Sequence, residues 1–408
     1  MKKILPVLLT LIVLNFLVFN SPVAAKPVDR LLSDPQQQIN QSMAPKILLF
    51  IGDGMGLEQR KAAQWSSKGL DEPLIMDQLP YSGWSQTASA DNLITDSAAG
   101  ATAIATGYPT NNGMIAISPE FANLKTILEY AQERGMATGL VTTVQISHAT
   151  PASFGSHVIN RGQMTDIAQQ LLEHKINVIL GGGEDEFLPI TDNGCFTQPG
   201  ERDDERNLIQ EAQAAGYTYV CTSEDLALVN IAETTHLLGL FGDEEMLHPI
   251  TPTLATMTQT AIDILSLDPD GFFLMVEGGQ IDWFCHANDA ANAIQETIDL
   301  DAAVQIGRSF QTTVENTLLI VTADHETGGM KVHLSTTGGP DEDGPFFTPQ
   351  GIPFYVTWDT NGHTAADIPL TALGSGAEQA QGIFPNTQLF WIMADLIFPR
   401  LYLPLLFK

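Results

Sequence analysis

The feature that most constrains this chain is a short, uninterrupted apolar run that ends in a carboxylate between two glycines, KILLFIGDG, beginning at Lys46. A strand that is apolar at nearly every position needs cover on both faces, which points to a parallel or mixed sheet clad by helices. Similar runs recur at residues 137–143, 178–180, 271–276 and 317–322, with helical patterns between them at 124–134, 165–174, 254–265 and 287–311. The alternation predicts an α/β fold with a central, mostly parallel sheet and helices on both faces. In such sheets ligands bind beyond the carboxyl ends of the strands.

Those ends carry chemistry. Asp53 follows the first run, Ser147, His148 and Thr150 the second, Glu277 and Asp282 the fourth, and Asp324 and His325 the fifth; the third ends in three glycines, 181–183. Asp282 and His286, in EGGQIDWFCHAND, are four apart and share one face of a helix, a spacing at which a carboxylate and an imidazole grip one zinc ion. In VTADHETGGM the adjacent Asp324 and His325 diverge unless the backbone bends, and the glycines at 328 and 329 allow a bend. His363, in a glycine-bearing loop, can reach back to the same place. Each alone is weak, since an Asp beside Gly, as at Asp53, usually bonds its own backbone and an Asp-His pair four apart is more often a surface hydrogen bond. Together they make a set suited to more than one ion, with imidazoles for zinc and oxygens for a harder ion such as Mg²⁺.

Ser97 opens a run of small, helix-forming residues in LITDSAAGATAIATG, with Thr95 or Asp96 as its cap. It therefore sits at the positive end of a helix, where a phosphate is favoured. A serine is a poor nucleophile at neutral pH without a base or a metal. No Ser-His-Asp arrangement can be deduced from the local sequence, so a metal activator is the reading to pursue.

Composition adds exclusions. Lys+Arg number 18 against 48 Asp+Glu in 408 residues, a formal net charge of -30. So acidic a surface repels nucleic acid and anionic lipid, and an anionic substrate needs a local cluster of cations. Residues 1–25 read as a signal peptide: Lys2 and Lys3, an apolar run at 4–19, then Val23 and Ala25 before the cut. Residues 26–45 read as a polar arm, and the greasy C-terminus, broken by Asp395, Pro399, Arg400 and Pro404, as a packed helix with a tail rather than a span. In an exported chain Cys195 and Cys221 can pair, while Cys285 reads as a buried packing residue.

Taken in order, DGMG, TDSAAGATA, SHATPASFGSHVINR, VEGGQIDWFCHAND, VTADHETGG and NGHT resemble the alkaline phosphatase family from about residue 46 to 374. The resemblance implies one domain over 46–408, with a peripheral insertion at about 184–250 and a small cap at about 326–362. It implies an exported, periplasmic or extracellular hydrolase of small phosphate monoesters, acting as a homodimer through a covalent phosphoserine on Ser97. It further implies a first zinc held by Asp282, His286 and His363, a second by Asp53, Asp324 and His325 with the Ser97 hydroxyl, and a magnesium-type ion by Asp53, Thr150 and Glu277. Arg161 matches the arginine that grips the phosphoryl oxygens. Two positions depart from one common version of the pattern: His148 stands where some members have aspartate near the third ion, and Trp283 where some have lysine or histidine near the phosphate. Phosphodiesterases and sulfatases share such a metal scaffold, but Ser97 in TDSAAG with Arg161 fits monoesters better, and a non-catalytic metal or phosphate binder has no need of the serine.

Overall fold

The computed structural model describes residues 44–398; the expected signal peptide, nearly all of the arm and the tail beyond 398 lie outside the described residues. The strands in chain order are β1 (Lys46–Gly52), β2 (Tyr81–Gln86), β3 (Ala137–Gln145), β4 (Val178–Gly182), β5 (Thr218–Val220), β6 (Leu237–Leu240), β7 (Phe272–Gly278) and β8 (Thr317–Thr322). There follow β9 (Glu326–Thr327), β10 (Lys331–His333), β11 (Glu342–Phe347), β12 (Pro353–Thr357), β13 (His363–Thr364), β14 (Ile368–Gly374) and β15 (Gly382–Pro385). Ten of them form one sheet in the order β15-β2-β14-β8-β1-β7-β3-β4-β6-β5. The pairings from β8 across to β5 are parallel, and β14 runs antiparallel to β8 and β2. The expected mostly parallel sheet is what forms.

β1 shows why an all-apolar strand belongs at the centre. Every one of its residues is buried. Ile47, Leu49 and Ile51 point into one core and Leu48 and Phe50 into the other, because successive side chains of a strand face opposite ways. The first core is closed by the helices Ser97–Thr106, Ile127–Glu133, Ala149–Gly155, Met164–Glu173 and Gln388–Ile397, and the second by Leu57–Ser67, Leu254–Leu265, Gln280–His286 and Ala290–Thr313. Two helical layers thus cover one sheet.

Three boundaries depart from the periodicity. The expected helix at 124–134 starts at Ile127, because Thr126 caps it and the Glu129 carboxylate accepts back from the Thr126 N–H at 2.8 Å. The helix expected at 287–311 starts at Ala290, because Asn288 adopts a left-handed backbone, φ 53°, and the Asp289 carboxylate caps the first turn. The segment expected as a small cap contains a three-stranded antiparallel sheet, β10-β12-β11. Phe354 of that sheet packs edge-on against Trp65 of the helix Leu57–Ser67, with ring centres 5.7 Å apart. At the far edge of the main sheet, beside β5, Cys195 and Cys221 form a disulfide, and Cys285 is a buried free thiol.

Phe154 ties the short helix Ala149–Gly155 to β7, its ring stacked 5.8 Å from that of Phe273, both fully buried. Truncating it leaves a cavity under a helix that carries a candidate ligand. Phe154→Ala should lower unfolding stability by about 3–5 kcal/mol and Phe154→Leu by much less, read from denaturant midpoints. Equal losses for the two would contradict this packing.

Candidate active site

The carboxyl ends of four adjacent strands, β8, β1, β7 and β3, meet in one place. Register sets the level: Ile51 lies beside Glu277 on one side and Thr322 on the other, so Asp53 and Asp324 each project two residues beyond the same row. Asp53 needs a tight turn after it, and Gly54 provides it with φ 70°. A Cβ there would stand 2.8 Å from the Asp282 Cα, so the absence of a side chain lets the β1 turn lie against the helix Gln280–His286. The Gly54 N–H donates to Asp324 Oδ1 at 3.2 Å, as does the N–H of His325 at 2.9 Å.

The helix Ser97–Thr106 enters from the side. Its N-cap is Asp96, whose Oδ1 accepts from the Ala99 N–H at 2.9 Å. At Gly100 a Cβ would come within 3.0 Å of the Asp324 carbonyl, so this helix can approach the β8 end only without a side chain there. Ser97 Oγ consequently lies 3.3 Å from His325 Nε2. The same nitrogen is 3.3 Å from Asp324 Oδ2 and 3.5 Å from Asp53 Oδ1, so the adjacent Asp-His pair does converge.

A second group sits alongside. His286 Nε2 is 3.0 Å from His363 Nε2 and 3.3 Å from Asp282 Oδ2, and His363 Nε2 is 3.6 Å from Asp282 Oδ1. The other ring nitrogens are held by carbonyls, His363 Nδ1 donating to Thr95 O at 2.8 Å and His286 Nδ1 to Asn361 O at 2.5 Å. The Nε2 lone pairs are thereby turned inward, the tautomer a metal ligand requires. A third group joins Asp53 to His148 and Glu277, with Thr150 buried nearby at the start of the helix Ala149–Gly155.

Arg161 reaches over the serine. Its Nη1 donates to Asp96 Oδ2 at 3.2 Å and its Nη2 to His148 Nε2 at 2.9 Å, and the His148 ring meets Trp283 edge-on at 5.7 Å. Asp96 therefore both caps the Ser97 helix and fixes the guanidinium. Of the residues singled out from the sequence, Asp53, Ser97, His148, Arg161, Glu277, Asp282, Trp283, His286, Asp324, His325 and His363 are in contact with one another in this region. Others were not foreseen: Thr327, whose hydroxyl donates to Asp282 and lies 3.3 Å from His325 Nδ1, Thr142, which donates to Glu277, and Glu296, which accepts from Thr143.

The electrostatics define what is missing from a protein-only account. Asp53, Glu277, Asp282 and Asp324 are all buried. Both oxygens of Asp53, Oδ2 of Asp324, Oε1 of Glu277, Oγ1 of Thr150 and Nδ1 of His148 have no hydrogen-bond partner in the protein. Burial, then the charge of Asp324, raises Asp53 well above the ordinary carboxylate range; burial pushes Glu277 to about 8 and Asp324 to about 6. Burial opposes ionisation of Asp282 as well, but His286 and the other imidazoles hold it below the usual value. His325 is lowered to about 4 and His148 to about 3 by burial, His148 also by Arg161, whereas contact with Asp282 raises His286 to about 9. Buried acids without partners beside neutral imidazoles are the ligand set of divalent cations. Nitrogen and oxygen donors in the first two groups suit Zn²⁺, and the oxygen-rich third suits a harder ion.

Comparison with known proteins agrees with this geometry. The family profile for alkaline phosphatase matches residues 44–344. The chain belongs to the alkaline phosphatase family. It is 39% identical to alkaline phosphatase 3 of Bacillus subtilis, over 81% of this chain and 71% of that protein. To the alkaline phosphatase of Escherichia coli it is 32% identical over 89% of each. Its fold superposes on the alkaline phosphatase of the Antarctic bacterium TAB5 with a TM-score of 0.74 at 32% identity, covering 87% of this chain and 98% of that one. A variant of the Antarctic enzyme has been solved with Mg bound in its M3 site. The family makes this chain an enzyme, a metal-dependent hydrolase of phosphate monoesters.

The metal-free chain should show the strain directly. Folded Glu277 keeps its proton to about 8, against 4.5 for an ordinary glutamate, and folded His286 keeps its proton to about 9, against 6.5. Between pH 7 and 8 the folded chain thus holds more protons than the unfolded one, and stability falls as pH rises. The slope is on the order of 1.4 kcal/mol per pH unit for each extra proton, less for the partly exposed His286. Thermal melts of chelator-treated protein should drop across that interval, and melting points that climb instead would contradict the assignment. Gly54→Ala should cost about 1–3 kcal/mol through its left-handed backbone, and lower metal retention by displacing Asp282, read by metal content after dialysis.

Proposed function

We propose that the chain cleaves phosphate monoesters to an alcohol and inorganic phosphate by way of a covalent phosphoserine on Ser97. Two zinc ions and one magnesium-type ion are the cofactors of this reading. The observation that carries it is the position of Ser97 Oγ, at a helix N-terminus and 3.3 Å from His325, beside three groups of candidate ligands, two of which hold buried carboxylate oxygens without a partner. Asp282, His286 and His363 would hold one ion, Asp53, Asp324 and His325 with Ser97 the next, and Asp53, Glu277 and Thr150 the third, with His148 beside it and its Nε2 turned to Arg161. When bound, these cations supply Lewis-acid charge that lowers the pKa of the serine hydroxyl and stabilises negative charge on phosphoryl and leaving oxygens.

The chain's own groups do the rest. Arg161, anchored by Asp96 and His148, presents its remaining N–H groups to two phosphoryl oxygens in a bidentate fork. The free N–H groups at the start of the helix Ser97–Thr106 favour the same dianion. Ser97 Oγ releases its proton to solvent and forms a bond to phosphorus as the bond to the alcohol oxygen breaks in line, and the departing alkoxide takes a proton from water. Water then attacks phosphorus, the P–Oγ bond breaks, and Ser97 recovers a proton. Trp283, beside His148, lines the phosphate side without adding a positive charge, which favours release of the product.

Export is part of the proposal. It rests on the pattern of residues 1–25 and on the Cys195–Cys221 disulfide, a bond that persists in oxidising compartments. Among the described residues no helix is long and apolar enough to cross a membrane. A homodimer is proposed on the family resemblance.

Ser97→Ala should lower kcat/KM for an aryl phosphate by roughly 10⁴-fold or more while leaving the bound metals in place. Acid quenching with ³²P-labelled substrate should put label on Ser97 of the unmodified enzyme. A variant that keeps more than a tenth of the activity, or label elsewhere, would overturn the covalent route.

A further inference from the structure

On the layer that carries the Ser97 helix, three side chains outside the catalytic centre converge from three separate elements. Glu129 comes from the helix Ile127–Glu133, His157 from the segment after the helix Ala149–Gly155, and His174 from the end of the helix Met164–Glu173. One donor atom from each lies within 4.8 Å of the others. They line a cleft of about 660 Å³ open to solvent.

We propose that Glu129, His157 and His174 form a separate zinc-binding site, distinct from the three groups at the catalytic centre. Each protein ligand is already oriented. His157 Nδ1 is 2.9 Å from the Ala116 carbonyl, which can only accept, so Nδ1 carries a proton and Nε2 is the ring atom turned toward Glu129 and available to a metal once deprotonated. The Gln170 side chain clamps the His157 backbone on both sides, Oε1 accepting from its N–H at 2.7 Å and Nε2 donating to its carbonyl at 3.3 Å. Glu129 uses one oxygen, Oε2, to accept from the Thr126 N–H, while Oε1 is paired with His157 Nε2 at 3.3 Å, a contact that zinc would replace by displacing the Nε2 proton. That separation equals the edge of a tetrahedron with bonds of about 2.0–2.1 Å, the usual zinc geometry. The half-buried His174 ring lies 6.0 Å from that of His157 and lines the same cleft.

Two imidazoles and one carboxylate with an open fourth position form a set zinc accepts readily. The nearby cation does not compete, because Lys125 is paired with Glu133 and lies over the Tyr130 ring. Asp166 and Glu173 add negative field on the far wall. The consequence is mechanical. His157 precedes Arg161 by four residues, and an ion here fastens that segment to two helices.

The test counts metal on the holoenzyme. Wild type, His174→Gln, Glu129→Gln and the control His236→Gln, a histidine elsewhere, are dialysed to equilibrium against zinc and magnesium and analysed by plasma mass spectrometry. Wild type and the control should carry one more zinc per chain than His174→Gln and Glu129→Gln. Diffraction at the zinc edge should place that ion among the three side chains. Since the comparison is between variants, it holds whatever number the catalytic centre binds, and unchanged aryl phosphatase activity of His174→Gln shows that the variant is folded. Equal zinc counts in all four proteins, or no anomalous peak at this position, would overturn the site.

Discussion

Four carboxylates are buried where neighbouring strands end, and among the described residues three of them, Asp53, Glu277 and Asp324, keep oxygens without a hydrogen-bond partner. Moving one carboxylate out of water costs several kcal/mol even after relaxation. Here Asp53, Glu277, Asp282 and Asp324 share one pocket, and raised proton affinities at three of them record the repulsion. The architecture produces this crowding directly: parallel strands in register bring the residues after each strand to one level, and all-apolar strands leave them nowhere else to point. Divalent charge resolves the conflict, and the same charge drives the hydrolysis the family performs.

The acidity of the whole chain sharpens the point. With a formal charge of -30, the protein repels the phosphate esters it must bind. In the proposed function attraction is local, from the cations, Arg161 and the helix start at Ser97. Asp96 links these parts by capping that helix with one oxygen and holding Arg161 with the other, so Ser97 and the guanidinium keep a fixed relation. Burial keeps His148 neutral, which lets its Nε2 accept from Arg161 while Nδ1 remains without a partner near Asp53 and Glu277.

Much of this was legible in the sequence because the informative groups stand at the punctuation of regular elements. The helix Leu254–Leu265 and strand Thr317–Thr322 fall where periodicity puts them, and Asp53, Glu277, Asp324 and His325 follow apolar runs that admit one topology class. Glu296 and Thr327 were not legible. Glu296 sits in a long helix with exposed polar neighbours, and its burial depends on where β3 brings Thr143. Thr327 is a single hydroxyl beside two glycines, with no sign in its spacing that it would meet Asp282. The sheet β10-β12-β11 is similar: its short strands are half exposed, and packing of Phe354 on Trp65 decides them more than local pattern does.

The most direct measurement is anomalous diffraction at the zinc edge from crystals of the metal-loaded protein. The account predicts one peak enclosed by Asp282, His286 and His363 and another by Asp53, Asp324, His325 and the Ser97 hydroxyl. Density showing these side chains around water alone, with the carboxylates paired to protein cations instead, would contradict it.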